Sequence, residues 1–349
     1  MKKLIIIILI WLNLFFVLLF CACNRSEESI EPKPPIEQTN DPSSNSNLKN
    51  PSTTSVVVTN GGDSDVVKEK YNFRYKFQTG DIFRWNVVQQ LKVDTTIKGS
   101  NEIVETYSKS AKVWRVLEVD ANNVAKFEYW IDGVDTRKIQ TGQELAEYNS
   151  SRDKTIPKEF RALEGTIGVS LAHFMIDVQG EIRRKIPLRI YSDESKENRI
   201  VIFFPSESLS VGDSWTVNLP PLDVQLNSDS DKVKKVSAKQ RYVFESIHTG
   251  AAKIKFDTQI LTPIDPSIQA KVLEYYVSGE LIFDIDVGRI ISQKITIDKT
   301  VVGFVDRNDS LHYISRLTEC SCGLRSCEIC SSVDKNSNQN NNSNNSNKK

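Results

Sequence analysis

Tyr71-Asn72-Phe73-Arg74-Tyr75-Lys76-Phe77-Gln78 alternates aromatic and polar residues with a period of two. That spacing puts every ring on one face of an extended chain, so the stretch reads as a half-buried strand. Gly80-Asp81 turns the chain, after which Phe83, Trp85 and Val87, then Leu91, Val93, Thr95 and Ile97, carry the same alternation to a polar turn at Lys98-Gly99-Ser100-Asn101. Val113 to Val119 and Val124 to Ile131 follow, separated by Asp120-Ala121-Asn122-Asn123. Period-two runs bounded by Gly, Asp and Asn describe long antiparallel hairpins.

The second half of the chain carries the same features in the same order. Gly80-Asp81 with Phe83 matches Gly212-Asp213 with Trp215, Val113-Trp114 matches Val243-Phe244, and Phe127-Glu128 matches Phe256-Asp257, at offsets of 132, 130 and 129. A later turn, Gly180-Glu181-Ile182, matches Gly288-Arg289-Ile290 at an offset of only 108. The first half therefore holds extra residues, and 132–166 breaks the strand pattern. There, Pro157 followed by Lys158-Glu159-Phe160-Arg161-Ala162-Leu163 reads as a short helix. The boundary falls near the polar loop Ser192 to Asn198 and Phe203-Phe204-Pro205. The expectation is a mainly β fold: antiparallel sheets in two related halves, 67–190 and 200–318, with a short helical insertion in the first. The halves form one open-barrel or sandwich-like body, because either alone would leave strand edges or an apolar face uncovered.

Phe77-x-x-Gly80-Asp81, then Phe204-Pro205 before Val211-Gly212-Asp213-Ser214-Trp215, then Ser315-Arg316-Leu317-Thr318, resemble a family of exported bacterial (lipo)proteins defined only as a domain of unknown function. The resemblance covers about 70–318 and brings no catalytic residue with it. At the level of fold alone, the strand-Gly-strand hairpins are also similar to the open β-barrels of lipoprotein carriers.

Composition sets the outer bounds. The 349 residues carry 45 Lys plus Arg against 45 Asp plus Glu, a formal charge of zero, so no basic excess is present to hold nucleic acid. Met1-Lys2-Lys3 and the apolar run Leu4 to Phe20, interrupted by Asn13, form an export signal over 1–22. Ala22-Cys23 resembles the site at which bacterial lipoproteins are cleaved and lipidated, making Cys23 the lipidation candidate. Phe20 and Cys21 depart from the usual pattern, so plain cleavage and a retained N-terminal anchor stay open. All three readings export the chain, and two attach it to a membrane facing the periplasm or the cell exterior. Residues 23–66, rich in Pro, Ser and Asn, read as a disordered tether, and 332–349 as a disordered Asn/Ser tail.

Candidate chemistry is sparse. His173, His248 and His312 form no His-x-His or His-x-x-x-His pair. Gly212-Asp213-Ser214 lacks a nucleophile elbow, and Ile82 takes the place of the serine in the first copy. Asp284 and Asp286 share one face of a strand but adjoin the Gly288 turn. Cys320-Ser321-Cys322 and Cys327-Glu328-Ile329-Cys330 form a cysteine knuckle over 319–331. Four thiols at this spacing suit two disulfides in an oxidising compartment, a zinc ion, or free thiols. No other cofactor is expected. The leading functional expectation is a non-enzymatic envelope binding or scaffold protein. The alternative is a carrier whose apolar ligand, a lipid or acyl chain, is lined by Phe83, Trp85, Trp114, Trp130 and Trp215; a hydrolase is the outside alternative.

Overall fold

The computed structural model describes residues 69–189, 201–226 and 232–321. The export signal, the tether, Cys23, Cys322, Cys327, Cys330 and the Asn/Ser tail lie outside the described residues. Among the described residues, fourteen strands follow one another: β1 (Ile82–Ile97), β2 (Ser100–Val119), β3 (Ala125–Gln140), β4 (Ala146–Asn149), β5 (Ser170–Ile176), β6 (Ile182–Pro187), β7 (Ser214–Asn218), β8 (Leu222–Gln225), β9 (Val233–Val236), β10 (Ala238–His248), β11 (Ala251–Ile260), β12 (Ser278–Asp284), β13 (Arg289–Val302) and β14 (Ser310–Ser321). Among the described residues, helical structure is limited to a 3-10 turn at Lys158–Leu163, the helix α1 (Pro266–Lys271) and a 3-10 turn at Leu273–Tyr275.

Twelve strands form one antiparallel sheet in the order β6-β5-β3-β2-β1-β14-β13-β12-β11-β10-β7, with β4 alongside β3, while β8 and β9 make a separate hairpin. The sheet does not close: among the described residues β6 and β7 are its edges. Its centre is the seam between β1 and β14, which runs from Trp85 opposite Ser321 to Thr96 opposite Ser310. Local sequence explains the meander. Lys98 and Gly99 take positive φ of 50° and 77° between β1 and β2, the left-handed pair that a tight two-residue hairpin requires. Thr249 and Gly250 repeat it between β10 and β11, at 46° and 78°.

The duplication reaches well below strand order. Gly80 N–H donates to Val116 O and Val116 N–H to Asp81 O; in the second half Gly212 N–H donates to Phe244 O and Phe244 N–H to Asp213 O. Each Asp folds back on its own turn, Asp81 accepting from Gln78 N–H and Asp213 from Ser210 N–H. A bulge follows Val116 in β2 and another follows Phe244 in β10. A further pair separates Met175 from Ile176 in β5 and Ile282 from Phe283 in β12. The cross-strand row Phe83, Trp114, Tyr129, Ala172 thus matches Trp215, Tyr242, Phe256, Gly279. β14 has no counterpart among the described residues of the first half.

Details of the sequence reading are corrected. Trp114 corresponds to Tyr242 and Tyr129 to Phe256, so the expected matches of Trp114 with Phe244 and of Phe127 with Phe256 slip by two residues. A slip of two preserves the face, which is why the sequence pattern could not expose it. The extra residues of the first half are partly strand, because β3 continues to Gln140 instead of ending at Ile131. Pro157 caps the 3-10 turn from outside, at φ −57° and ψ 154°, rather than opening it. The second half carries its own helical insertion at the equivalent place, between β11 and β12, where Asp265 caps α1 by accepting from Ile268 N–H. β14 extends to Ser321, three residues beyond the expected end of the body.

The largest difference concerns Tyr71–Gln78. Its burial alternates as expected, with Phe73 and Tyr75 buried, Arg74 half-buried and Asn72 and Lys76 exposed, yet only Tyr71 makes a bridge, to Leu209. The segment crosses the concave side of the sheet as filler. Phe73 packs on Phe204, Phe244 and Phe283, while Phe77 packs edge-on against Phe83 and Phe127. A second lead-in, ahead of β7, places Val201, Ile202, Phe204 and Leu209 in the same core. Each lead-in is pinned by a hairpin of the other half. Lys76 N–H donates to Gly288 O, and Phe204 N–H to Gln179 O. This reciprocal crossing makes the two meanders a single core. Two smaller clusters lie outside this core: Leu273 packs with Val93, Ile297 and Leu311 of the long strands, while Ile268 of α1 and Val272 just after it are buried against Val224 and Val236 of the β8-β9 hairpin.

Candidate functional site

The concave face is where the sheet, both lead-ins and the expected aromatic residues converge. Phe83, Trp85, Trp114 and Trp215 are buried there. Trp130 is not among them. It stands opposite Val113 on the other face of β3, one residue from the inward Tyr129, with the Arg115 guanidinium 5.8 Å from its ring. Strict alternation along β3 puts these neighbours on opposite faces, so Trp130 cannot line an interior cavity.

Between β1, β13 and the lead-ins the packing leaves a small cleft of about 20 Å³, room for a single water, lined by Tyr75, Phe77, Phe83, Trp85, Phe127, Val201, Arg289 and Ile290. Arg289 opens β13 directly after the Gly288 turn. Its Nη2 donates to Asp81 Oδ2 at 2.6 Å, and its guanidinium lies 4.5 Å from the Phe83 ring centre. The salt bridge offsets the charge and the ring covers one face of the cation. Among the described residues, two donors on the cleft residues lack acceptors: Trp85 Nε1 and Arg289 Nε are both buried and unpartnered. A buried polar group left unsatisfied costs about 1–3 kcal/mol, and Tyr107 OH, Ser170 Oγ, Thr258 Oγ1 and Asp309 Oδ2 share that state. Trp215 shows the ordinary arrangement, its Nε1 donating to Phe203 O at 2.8 Å. Tyr75 OH both donates to Ile202 O and accepts from Ile202 N–H, and burial raises its phenol well above the ordinary tyrosine range.

Along the same face, next to Trp85, lies a buried charged group. Glu319 on β14 accepts from Gln293 Nε2 on β13, and Lys112 Nζ of β2 approaches its other oxygen at 3.7 Å. Glu319 was legible in principle, because it continues the inward series Leu311, Tyr313, Ser315, Leu317 along β14. Arg289 had no such signal: beside a turn glycine, a cation is usually a solvent-facing residue.

The remaining candidates fall elsewhere. His173, His248 and His312 stand on β5, β10 and β14, which do not adjoin one another, and His312 Nε2 meets Asp298 Oδ1 at 2.8 Å. Asp213 is engaged in its own turn. Asp284 ends β12 and accepts from Val287 N–H, whereas Asp286 belongs to the turn and not to the strand face. Of the knuckle, Cys320 alone is described: it is buried on β14 opposite Asn86 and Ser292, and it is disulfide-bonded. No group of three His, Cys, Asp or Glu side chains among the described residues is placed to hold a metal ion. Neither a family model nor a curated protein matches the chain.

Proposed function

We propose that the protein is an exported, membrane-tethered envelope protein that acts by non-covalent binding, as a scaffold or recognition module, and not by catalysis. The observation that carries this reading is the filling of the concave face by the chain's own aromatic lead-ins, Phe73 and Phe204 above all. A sheet filled from within offers its outer face and its edges, β6 and β7, for interaction. The polar groups closest to a nucleophile-like motif, at Gly212-Asp213-Ser214, are committed to the turn that starts β7. The basic n-region, Ala22-Cys23 and the polar spacer supply the address and the attachment. Metabolic labelling with a fatty-acid analogue tests the attachment: label should enter the wild-type chain and disappear on Cys23→Ser, and persistent labelling of that variant would exclude lipidation at Cys23.

A second reading, a carrier of an apolar ligand, is favoured by one observation, the cleft with its two unpartnered donors. Native mass spectrometry of protein extracted from its own membrane separates the readings. A stoichiometric lipid adduct supports the carrier. A ligand-free mass, with recovery of the same protein partner after crosslinking in intact cells, supports the scaffold.

A further inference from the structure

We propose that the two sheet edges, β6 and β7, bound a docking slot for one extended acidic segment of a partner protein, which adds a strand there as β14 does between β13 and β1. The inference deepens the scaffold reading and rests on it. The duplication defines the slot. β7 corresponds to β1, through Trp215 and Phe83 after equivalent Gly-Asp turns, and β6 to β13, through Ile182 and Ile290 after Gly180 and Gly288. The order β13-β14-β1 therefore has a counterpart in β6 and β7, from which, among the described residues, only the middle strand is missing. Both places are framed alike by the lead-ins. Lys76 N–H donates to Gly288 O just ahead of β13, while Phe77 packs on Phe83 of β1. Phe204 N–H donates to Gln179 O just ahead of β6, while Phe203 O accepts from Trp215 Nε1 of β7. Each lead-in thus joins the two walls of one slot, and β14 occupies the first.

Backbone direction and charge identify the occupant. Leu219 N–H donates to Ala238 O at the start of β10, so strand alternation turns the N–H and C=O of Asn218 away from β10 and toward the slot. Its counterpart in β1, Asn86, faces Cys320 of β14. On its other side Cys320 faces Ser292 of β13, and the place of Ser292 is taken in β6 by Arg184, since Ser292 stands opposite Ile282 and Arg184 opposite Met175 beside equivalent bulges. Arg184 is exposed, and β6 carries Arg183, Arg184 and Lys185 in succession although the whole chain has no net charge. Such an edge repels the β6 of a second copy. An acidic strand gains opposite charge together with the backbone hydrogen bonds of strand addition.

The test uses full-length protein and a synthetic peptide with the sequence of β14, Ser310–Ser321, carrying Cys320→Asp so that its carboxylate falls beside Arg184. The same peptide with Cys320→Lys is the control. Fluorescence anisotropy reads the affinity, and amide hydrogen exchange locates the peptide. The acidic peptide should bind saturably, at least about tenfold more tightly than the basic one, and slow exchange in Ile182–Pro187 and Ser214–Asn218. Arg184→Glu should reverse the preference. Asn218→Pro, which removes an N–H facing the slot and none facing β10, should abolish binding and leave the urea midpoint unchanged. Absence of saturable binding, or equal binding of both peptides, overturns the slot. So does new protection on β1 and β13, the mark of strand exchange at the seam, or protection of β6 and β7 that is complete without peptide. If no peptide binds while crosslinking in intact cells recovers a protein partner, the slot falls and the scaffold reading stands. If the acidic peptide binds as described but the chain carries a stoichiometric lipid and no partner, the slot stands and the scaffold reading falls.

Discussion

The two meanders share turns, bulges and cross-strand rows, yet they fill the same positions differently. In the second half Trp215 occupies the first inward position after the Gly212 turn, stacks on Tyr242 and satisfies its own indole N–H on Phe203 O. In the first half that position is Phe83, and the indole appears two residues later, at Trp85, where no acceptor reaches it. Backbone geometry survives such divergence because it is set by glycine conformation and bulges. Side-chain satisfaction does not: Trp215 finds an acceptor in Phe203 O, and Trp85 finds none among the described residues.

The comparison can be broken most forcefully at the glycines that touch the opposing lead-in. Gly180 has φ 86°, and a Cβ there would sit 2.2 Å from Ile202 O; Gly288 has φ 69°, with Lys76 and Arg74 atoms within 2.8 Å. Gly180→Ala and Gly288→Ala should each cost about 4 kcal/mol or prevent folding, since neither backbone strain nor the backbone clash can relax cheaply. Urea midpoints are the measurement, and a loss below that for Gly212→Ala would refute reciprocal pinning. Phe73→Ala comes next, at about 3–5 kcal/mol for a buried ring; a near-neutral result would mean that the lead-in is dispensable to the core. Gly80→Ala and Gly212→Ala form the direct test of duplication. Both have positive φ with nothing within 4 Å of a built Cβ, so each should lose a similar amount, about 1–2 kcal/mol of backbone strain. Unequal losses would show that the two turns are not equivalent. The smallest effect separates Asp81→Asn from Asp213→Asn, because Asp81 also holds Arg289. Asp81→Asn should cost about 1 kcal/mol more, read again from urea midpoints. Apart from that series, unreduced protein should show no reactive thiol at Cys320 and no change of Tm with chelator, while a reductant should lower Tm. Full thiol titration without reductant would remove the disulfide.

Much of this architecture was legible in period-two alternation, because a half-buried sheet imposes that period on every strand. The limits were equally physical. Tyr71–Gln78 has a strand's pattern and a strand's burial without a strand's partners, since alternation reports two unlike environments and not a hydrogen-bonding neighbour. Trp130 was misplaced through composition: a tryptophan counts as core material until its inward neighbour Tyr129 is known. The cleft depends on Arg289 meeting Asp81 across 208 residues, and no local pattern encodes such a meeting.

The seam between β1 and β14 sets the timing of assembly. Trp85 waits for Ser321, 236 residues later, before the middle of the sheet exists. A chain delivered N-terminus first therefore presents β1 with one edge bare until the last strand arrives. Both ends of the body meet in one seam, so closing it is both the longest-range step and the one that commits the fold, and slow folding of high contact order follows. A chain cut short between Pro187 and Ser310 would keep every hairpin of the first half and still leave that central edge unpaired, free to recruit a strand from another molecule.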